Sequence, residues 1–120
     1  MGSRHADYYE GWHRRHERAR RAAGERAAKA RALVPVLGRC LVQDFGAHGV
    51  VLVGSLAGAA QGFTYLSDID LVVEGLPPDR FYEAGAKVER LAHPFRVDLI
   101  PAERARPGIR DAVAAGERVA

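Results

Sequence analysis

Cysteine is almost missing from this chain: Cys40 is the only one in 120 residues. An internal disulfide is therefore excluded, and a lone thiol gives neither a redox pair nor a metal-ligand pattern. Its apolar surroundings between Leu37 and Val42 make it a core thiol, and a reducing cytoplasm is the expected compartment. Long apolar runs are absent too. No stretch approaches the ~20 residues that a membrane helix needs, and the first residues are polar, so neither a span nor a signal peptide is expected. The histidines, including His48 and His93, show no ligand spacing. The glycines exclude two phosphate motifs. No Gly-Lys-Ser/Thr follows Gly54-Ser55, so the turn is not a Walker loop, and Gly54, Gly58 and Gly62 do not give the G-x-G-x-x-G dinucleotide fingerprint.

Acidic residues are scarce at the start of the chain. Residues 1–31 hold nine Lys/Arg against four acids, a net of +5, while the remainder holds nine against eleven, a net of −2. The basic character thus belongs to one quarter of the molecule. That quarter, from Asp7 to Arg31, is rich in alanine and arginine without proline and reads as a long helix, with Asp7 a possible cap. Tyr8 and Trp12 share a face, and Ala19, Ala22, Ala23, Ala27 and Ala30 extend it as a narrow small-residue stripe that needs a surface to pack on. The plainer reading of the arginines is a solvated face with i, i+4 charge pairs; the alternative is contact with nucleic acid or an acidic partner.

With 48% apolar and 28% charged residues the chain is globular, and 120 residues suffice for one core. We expect a single domain: a basic helical arm over 1–34 and an α/β core over 35–120. Pro35 either kinks one rod or starts a second helix, Val36 to Phe45, with Gly46 as its C-cap.

The stretch from Val50 to Val73 carries the chemistry. Val50 to Val53 is short, β-branched and ends at a glycine, as a buried strand does. Gly54 and Ser55 follow it, and Ser55 is expected to begin a short helix whose N–H groups and hydroxyl suit a phosphate. Ser67-Asp68-Ile69-Asp70 then opens a second strand through Val73. Strand alternation puts Asp68 and Asp70 on one face, where two carboxylates repel each other unless a cation sits between them. A phosphate seat beside an Asp-x-Asp pair fits a nucleoside triphosphate bridged by Mg²⁺, which favours carboxylate and phosphate oxygens.

Downstream, Glu74 to Pro78 is a loop, Asp79 a candidate N-cap, and Phe81 to Leu91 a helix with one apolar side. Phe95 to Ile100 is the third strand, with Arg96, Asp98 and Ile100 on one face, and Pro101 stops it. Pro107 to Ala115 is a closing helix ended by Gly116, and Arg118 to Ala120 are expected to begin a final strand, completed elsewhere if the chain is truncated. The order implies a compact α/β layer, a small sheet with helices on one side.

Gly54-Ser55, Ser67-Asp68-Ile69-Asp70-Leu71 and Arg96-Val97-Asp98-Leu99-Ile100, in that order, resemble the nucleotidyltransferases of the DNA polymerase β superfamily. Among these the chain is most similar to the minimal nucleotidyltransferase domains, many of which are antitoxins paired with HEPN-domain toxins. The resemblance covers residues 33 to 118. It implies a polymerase β-like fold with a small mixed sheet. It also implies two Mg²⁺ ions on Asp68, Asp70 and Asp98, and ATP as substrate held by Gly54, Ser55 and Ser67. Asp98 would complete the second metal site and accept the nucleophile's proton. The expected activity is AMP transfer to a hydroxyl, a tyrosine of a HEPN-type toxin partner. A non-catalytic antitoxin-like binding module and transfer to a small molecule or RNA are the alternatives. Many relatives read Gly-Ser-x-Ala-Arg-Gly; here Gly54-Ser55-Leu56-Ala57-Gly58-Ala59 lacks the arginine, leaving Arg96 or Lys87 as substitute cations. Phe63 and Tyr65 are candidates to stack on a base or to cover the core.

Overall fold

In the computed structural model, which describes residues 3–58, 63–64, 66–104 and 106–120 (side chains from Tyr8 onward), helix α1 spans Ser3–Arg39 and runs without a break through Pro35. Pro35 has no N–H for the carbonyl of Arg31 four residues earlier, but it lies exposed, where water can meet that carbonyl. One π-helical turn, Cys40–Asp44, ends the rod. Gly46 closes it at φ +78°, its N–H reaching Val42 O at 3.2 Å while the Ala47 N–H reaches Leu41 O at 3.0 Å.

Strand β1 (Gly49–Val53) leads through a 3₁₀ turn at Gly54–Leu56 toward β2 (Ile69–Glu74). Helix α2 (Phe81–Ala92), β3 (Val97–Pro101), α3 (Ile109–Ala115) and β4 (Glu117–Arg118) complete the order. The four strands line up as β3-β2-β1-β4. β2 runs antiparallel to β1 and parallel to β3, and β4 runs antiparallel to β1. The sheet is therefore mixed, as expected. The fold class, a long N-terminal helix with a mixed α+β sheet, is likewise as the sequence implies. The final strand reaches its partner within the chain: the Val119 N–H bonds Val50 O at 2.8 Å and the Val50 N–H bonds Ala120 O at 2.9 Å.

Alternation along the strands divides the apolar residues between two faces. Val50, Leu52, Ile69, Leu71, Val73 and Leu99 pack with Ala27, Ala30, Val34, Leu37 and Leu41 of the N-terminal rod and with Ala84, Val88 and Ala92 of α2. Val51, Val53 and Val72 face the other way and meet Ile109, Ala112 and Val113 of α3. The expectation of helices on one side is thus corrected. The five residues of β1 are all buried, and a strand buried on both faces needs cover on both.

Three local expectations also change. Asp79 does not cap α2: it lies in a 3₁₀ turn, Pro78–Arg80, and Arg80 holds the cap position without a side-chain hydrogen bond. Pro101 belongs to β3, paired with Val73; β3 is an edge strand, where the missing N–H is tolerated. The alanine stripe is covered only in part. Ala27 and Ala30 are buried, but Ala19 and Ala22 are exposed, as are Tyr8 and Trp12 on the stretch of α1 that extends past the sheet. Trp12 stacks on His16 at 4.0 Å instead of entering a core. The projecting rod gives the molecule its 69 × 29 × 18 Å extents.

Truncation to begin at Ala19 should therefore leave the melting temperature within about 2 °C, since described residues 8–18 place no buried side chain. Leu37→Ala, which empties a fully buried position, should cost about 2–5 kcal/mol in the same thermal denaturation experiment.

Candidate functional site

The site forms where β1 ends. The antiparallel register sets Val53 opposite Asp70, so the next residue, Gly54, lies beneath the Asp70 carboxylate. A Cβ at Gly54 would overlap Asp70 Oδ2, and Gly54 also has φ +78°. Both the close approach and the backbone angle demand glycine here. On the other side of β2, the parallel register sets Asp70 opposite Asp98. Neighbouring strands are ~4.8 Å apart and opposed residues share a face, so the two carboxylates are neighbours. Asp68 comes just before β2 on the same strand face.

The electrostatic consequence appears on Asp70. Burial first, then the charges of Asp98 and Asp68, push its carboxyl up to about 6. Asp98 itself is exposed and borders a groove of about 300 Å³ between α2 and β3, with Phe81, Tyr82 and Glu89 among its walls. Asp68 turns to Arg96, with Oδ1 3.7 Å from Nε. The Arg96 side chain is 83% exposed, so solvent screens this pair and it holds Asp68 only loosely.

Sequence reasoning thus places Asp68, Asp70 and Asp98 in one neighbourhood, with Asp70 at its centre. They do not form a closed cage. Among the described residues, no three His, Cys, Asp or Glu side chains are close enough together to hold a metal ion. The donor chemistry still fits Mg²⁺ in a narrower sense. That ion commonly takes one or two carboxylates and completes its shell with water and phosphate oxygens. Asp70 and Asp98 offer only oxygen donors, and a cation between them would relieve their repulsion.

The phosphate side is less elaborate than the sequence suggests. Ser55 does not start a helix of any length; Gly54–Leu56 is one 3₁₀ turn, closed by the Ala57 N–H on Gly54 O at 3.1 Å. Three residues sum no macrodipole, so any anion here would meet individual N–H groups and the Ser55 hydroxyl. The Ser67 hydroxyl is used locally, accepting the Thr64 N–H at 3.0 Å, while the Ser67 N–H returns to Thr64 O at 3.0 Å. Phe63 is fully buried, with its ring 6.2 Å from that of Phe95, and serves the core. Tyr65 lies outside the described residues. Arg31 is the participant that the sequence does not reveal. From α1 it reaches the carbonyl oxygens of Leu56 and Gly58. Its place in a long Arg-rich helix carries no mark distinguishing it from its neighbours.

Asp70 also sets a pH dependence. Its folded-state value lies above its ordinary 3.8, so the folded protein holds the proton more tightly, and stability falls as pH rises from about 4 to about 6. Asp70→Asn should therefore raise the melting temperature at pH 7.5, and the gain should shrink toward pH 4; thermal scans across that range check it.

No family model matches the chain, and neither the curated proteins nor the solved structures contain a match to it.

Proposed function

We propose that the protein is a Mg²⁺-dependent nucleotidyltransferase with a polymerase β-like fold that transfers AMP from ATP to a hydroxyl group. The observation that carries this reading is the position of Asp70, pressed onto Gly54 at the end of β1 and in register with Asp98 of β3. Asp70 would thereby join a cation seat shared with Asp98 to the glycine turn that would hold a phosphate.

Each residue has a distinct task in this reading. Gly54 lets the Asp70 carboxylate lie against the main chain, and Ser55 offers its hydroxyl to a phosphate oxygen. Asp70 and Asp98 would hold the cation, with Asp68 adding negative charge from the same face. When bound, Mg²⁺ supplies charge neutralisation for the triphosphate and for the crowded acids. The acceptor oxygen attacks the α-phosphorus, the bond to pyrophosphate breaks, and the acceptor's proton passes to a nearby base. Asp98, exposed at the edge strand, suits that last role. Catalysis then consists of positioning and charge stabilisation, without a covalent enzyme intermediate.

The resemblance to minimal nucleotidyltransferases supports a protein acceptor, a tyrosine of a HEPN-type toxin, with the chain acting as its antitoxin. No helix among the described residues is long and apolar enough to cross a membrane.

ATP labelled at the α-phosphate, incubated with the protein, Mg²⁺ and the acceptor or a lysate containing it, should label a protein band, whereas γ-labelled ATP should not. Asp70→Asn should reduce the label by at least about 100-fold, the size expected when a charge-stabilising group is removed. Equal labelling by the variant would overturn the reading. Complex formation with a partner that survives both Asp68→Ala and Asp70→Ala, with no labelling by the wild type, would leave a binding module instead.

A further inference from the structure

Between Arg39 and Arg80 the chain has no lysine or arginine. The segment that provides Gly54, Ser55, Asp68 and Asp70 therefore brings no cation of its own, although a triphosphate would add several negative charges to acids already crowded together. A cation does reach the turn, and it comes from α1. Arg31 Nη2 donates to Leu56 O at 2.8 Å and to Gly58 O. The same nitrogen lies 3.2 Å from Glu117 Oε1, and Nη1 lies 3.4 Å from Glu117 Oε2. Glu117, on β4, accepts the Gly58 N–H at 3.0 Å as well.

We propose that Arg31, braced by Glu117, is the positioning residue of the phosphate-binding turn Gly54–Gly58. The inference rests on the transferase reading above. Three physical points support it. The Leu56 side chain is fully buried, so the turn is anchored in the core on one side and gripped by Arg31 at its backbone on the other. The guanidinium also occupies two carbonyl oxygens whose negative ends would otherwise repel a phosphate. Finally, Arg31 stands on the part of α1 that packs against the sheet, one turn from the buried Ala27 and Val34, so its grip on the turn comes from a rigid element. Glu117 keeps its own charge into mildly acid solution, because the Gly58 N–H and Arg31 hold its carboxyl below the ordinary value. Chain order hides the arrangement: Arg31 and Glu117 are 86 residues apart and meet only because β4 returns to the edge of β1.

The test measures the affinity for MgATP by calorimetry, with melting temperature in parallel, for the wild type, Arg31→Met, Arg31→Lys and Glu117→Gln. Arg31→Met should weaken MgATP binding by about tenfold, as expected for loss of a charge-assisted hydrogen-bonding group. Arg31→Lys should recover most of that loss by restoring a cationic donor to the Leu56 and Gly58 carbonyl oxygens, and Glu117→Gln should fall between. If Arg31→Met does not fold, Glu117→Gln and Arg31→Lys decide. Wild-type affinity in the folded variants overturns the proposal. So does equal weakening by Met and Lys that merely follows equal losses in melting temperature, which is the behaviour of a structural clamp. Wild-type protein that binds no MgATP defeats the transferase reading itself, whereas a binding wild type with unaffected variants defeats only the role of Arg31.

Discussion

The crowding of carboxylates around Asp70 is the constraint on which the rest of the site depends. Burial and two neighbouring acids raise its carboxyl to about 6, and the strand register sets it between Gly54 on one side and Asp98 on the other. A fold gains nothing from such a cluster when it is empty. In the proposed reading a cation and an anionic ligand would offset its cost. The glycine at 54 has the same meaning in steric terms: any side chain there would collide with the carboxylate that gives the site its charge.

The scaffold serves this arrangement through the placement of its layers. β1 and β2 lie at the centre of the sheet, covered on one face by the packed half of α1 and by α2, and on the other by α3. The acids emerge at the end of this buried pair, where β1 gives way to the glycine turn. Rigid strands set the carboxylates, and the turn between them is tied back to α1 and β4 by Arg31 and Glu117. The outer half of α1 takes no part in the core. A strongly charged helix exposed on all sides gains little from its own side chains, so its length beyond the sheet is a property of the arm and not of the site.

Much of this is legible in the amino-acid order. Val50–Val53 and Ile69–Val73 declare themselves by β-branched runs bounded by glycine and aspartate, and the period of two puts Asp68 and Asp70 on one face without any coordinates. Asp98 follows from the same alternation in β3. The side of the sheet that α3 covers is not readable, because Ile109, Ala112 and Val113 are compatible with either face until the topology assigns one. The length of the helical turn after Gly54 is hidden as well: alanine-rich composition permits a helix, but the turn spans only Gly54–Leu56. Arg31 is the clearest failure of local reading. It is one arginine among many, and only the return of β4 to β1 gives it a partner.

The most direct measurement is paramagnetic broadening of amide resonances in labelled protein titrated with Mn²⁺ in the presence of ATP. Gly54, Asp70 and Asp98 should broaden first, at substoichiometric metal, and the effect should be lost in Asp70→Asn. Broadening spread over exposed acids such as Glu25 and Glu103, with Asp70 and Asp98 no more affected than these, would contradict it.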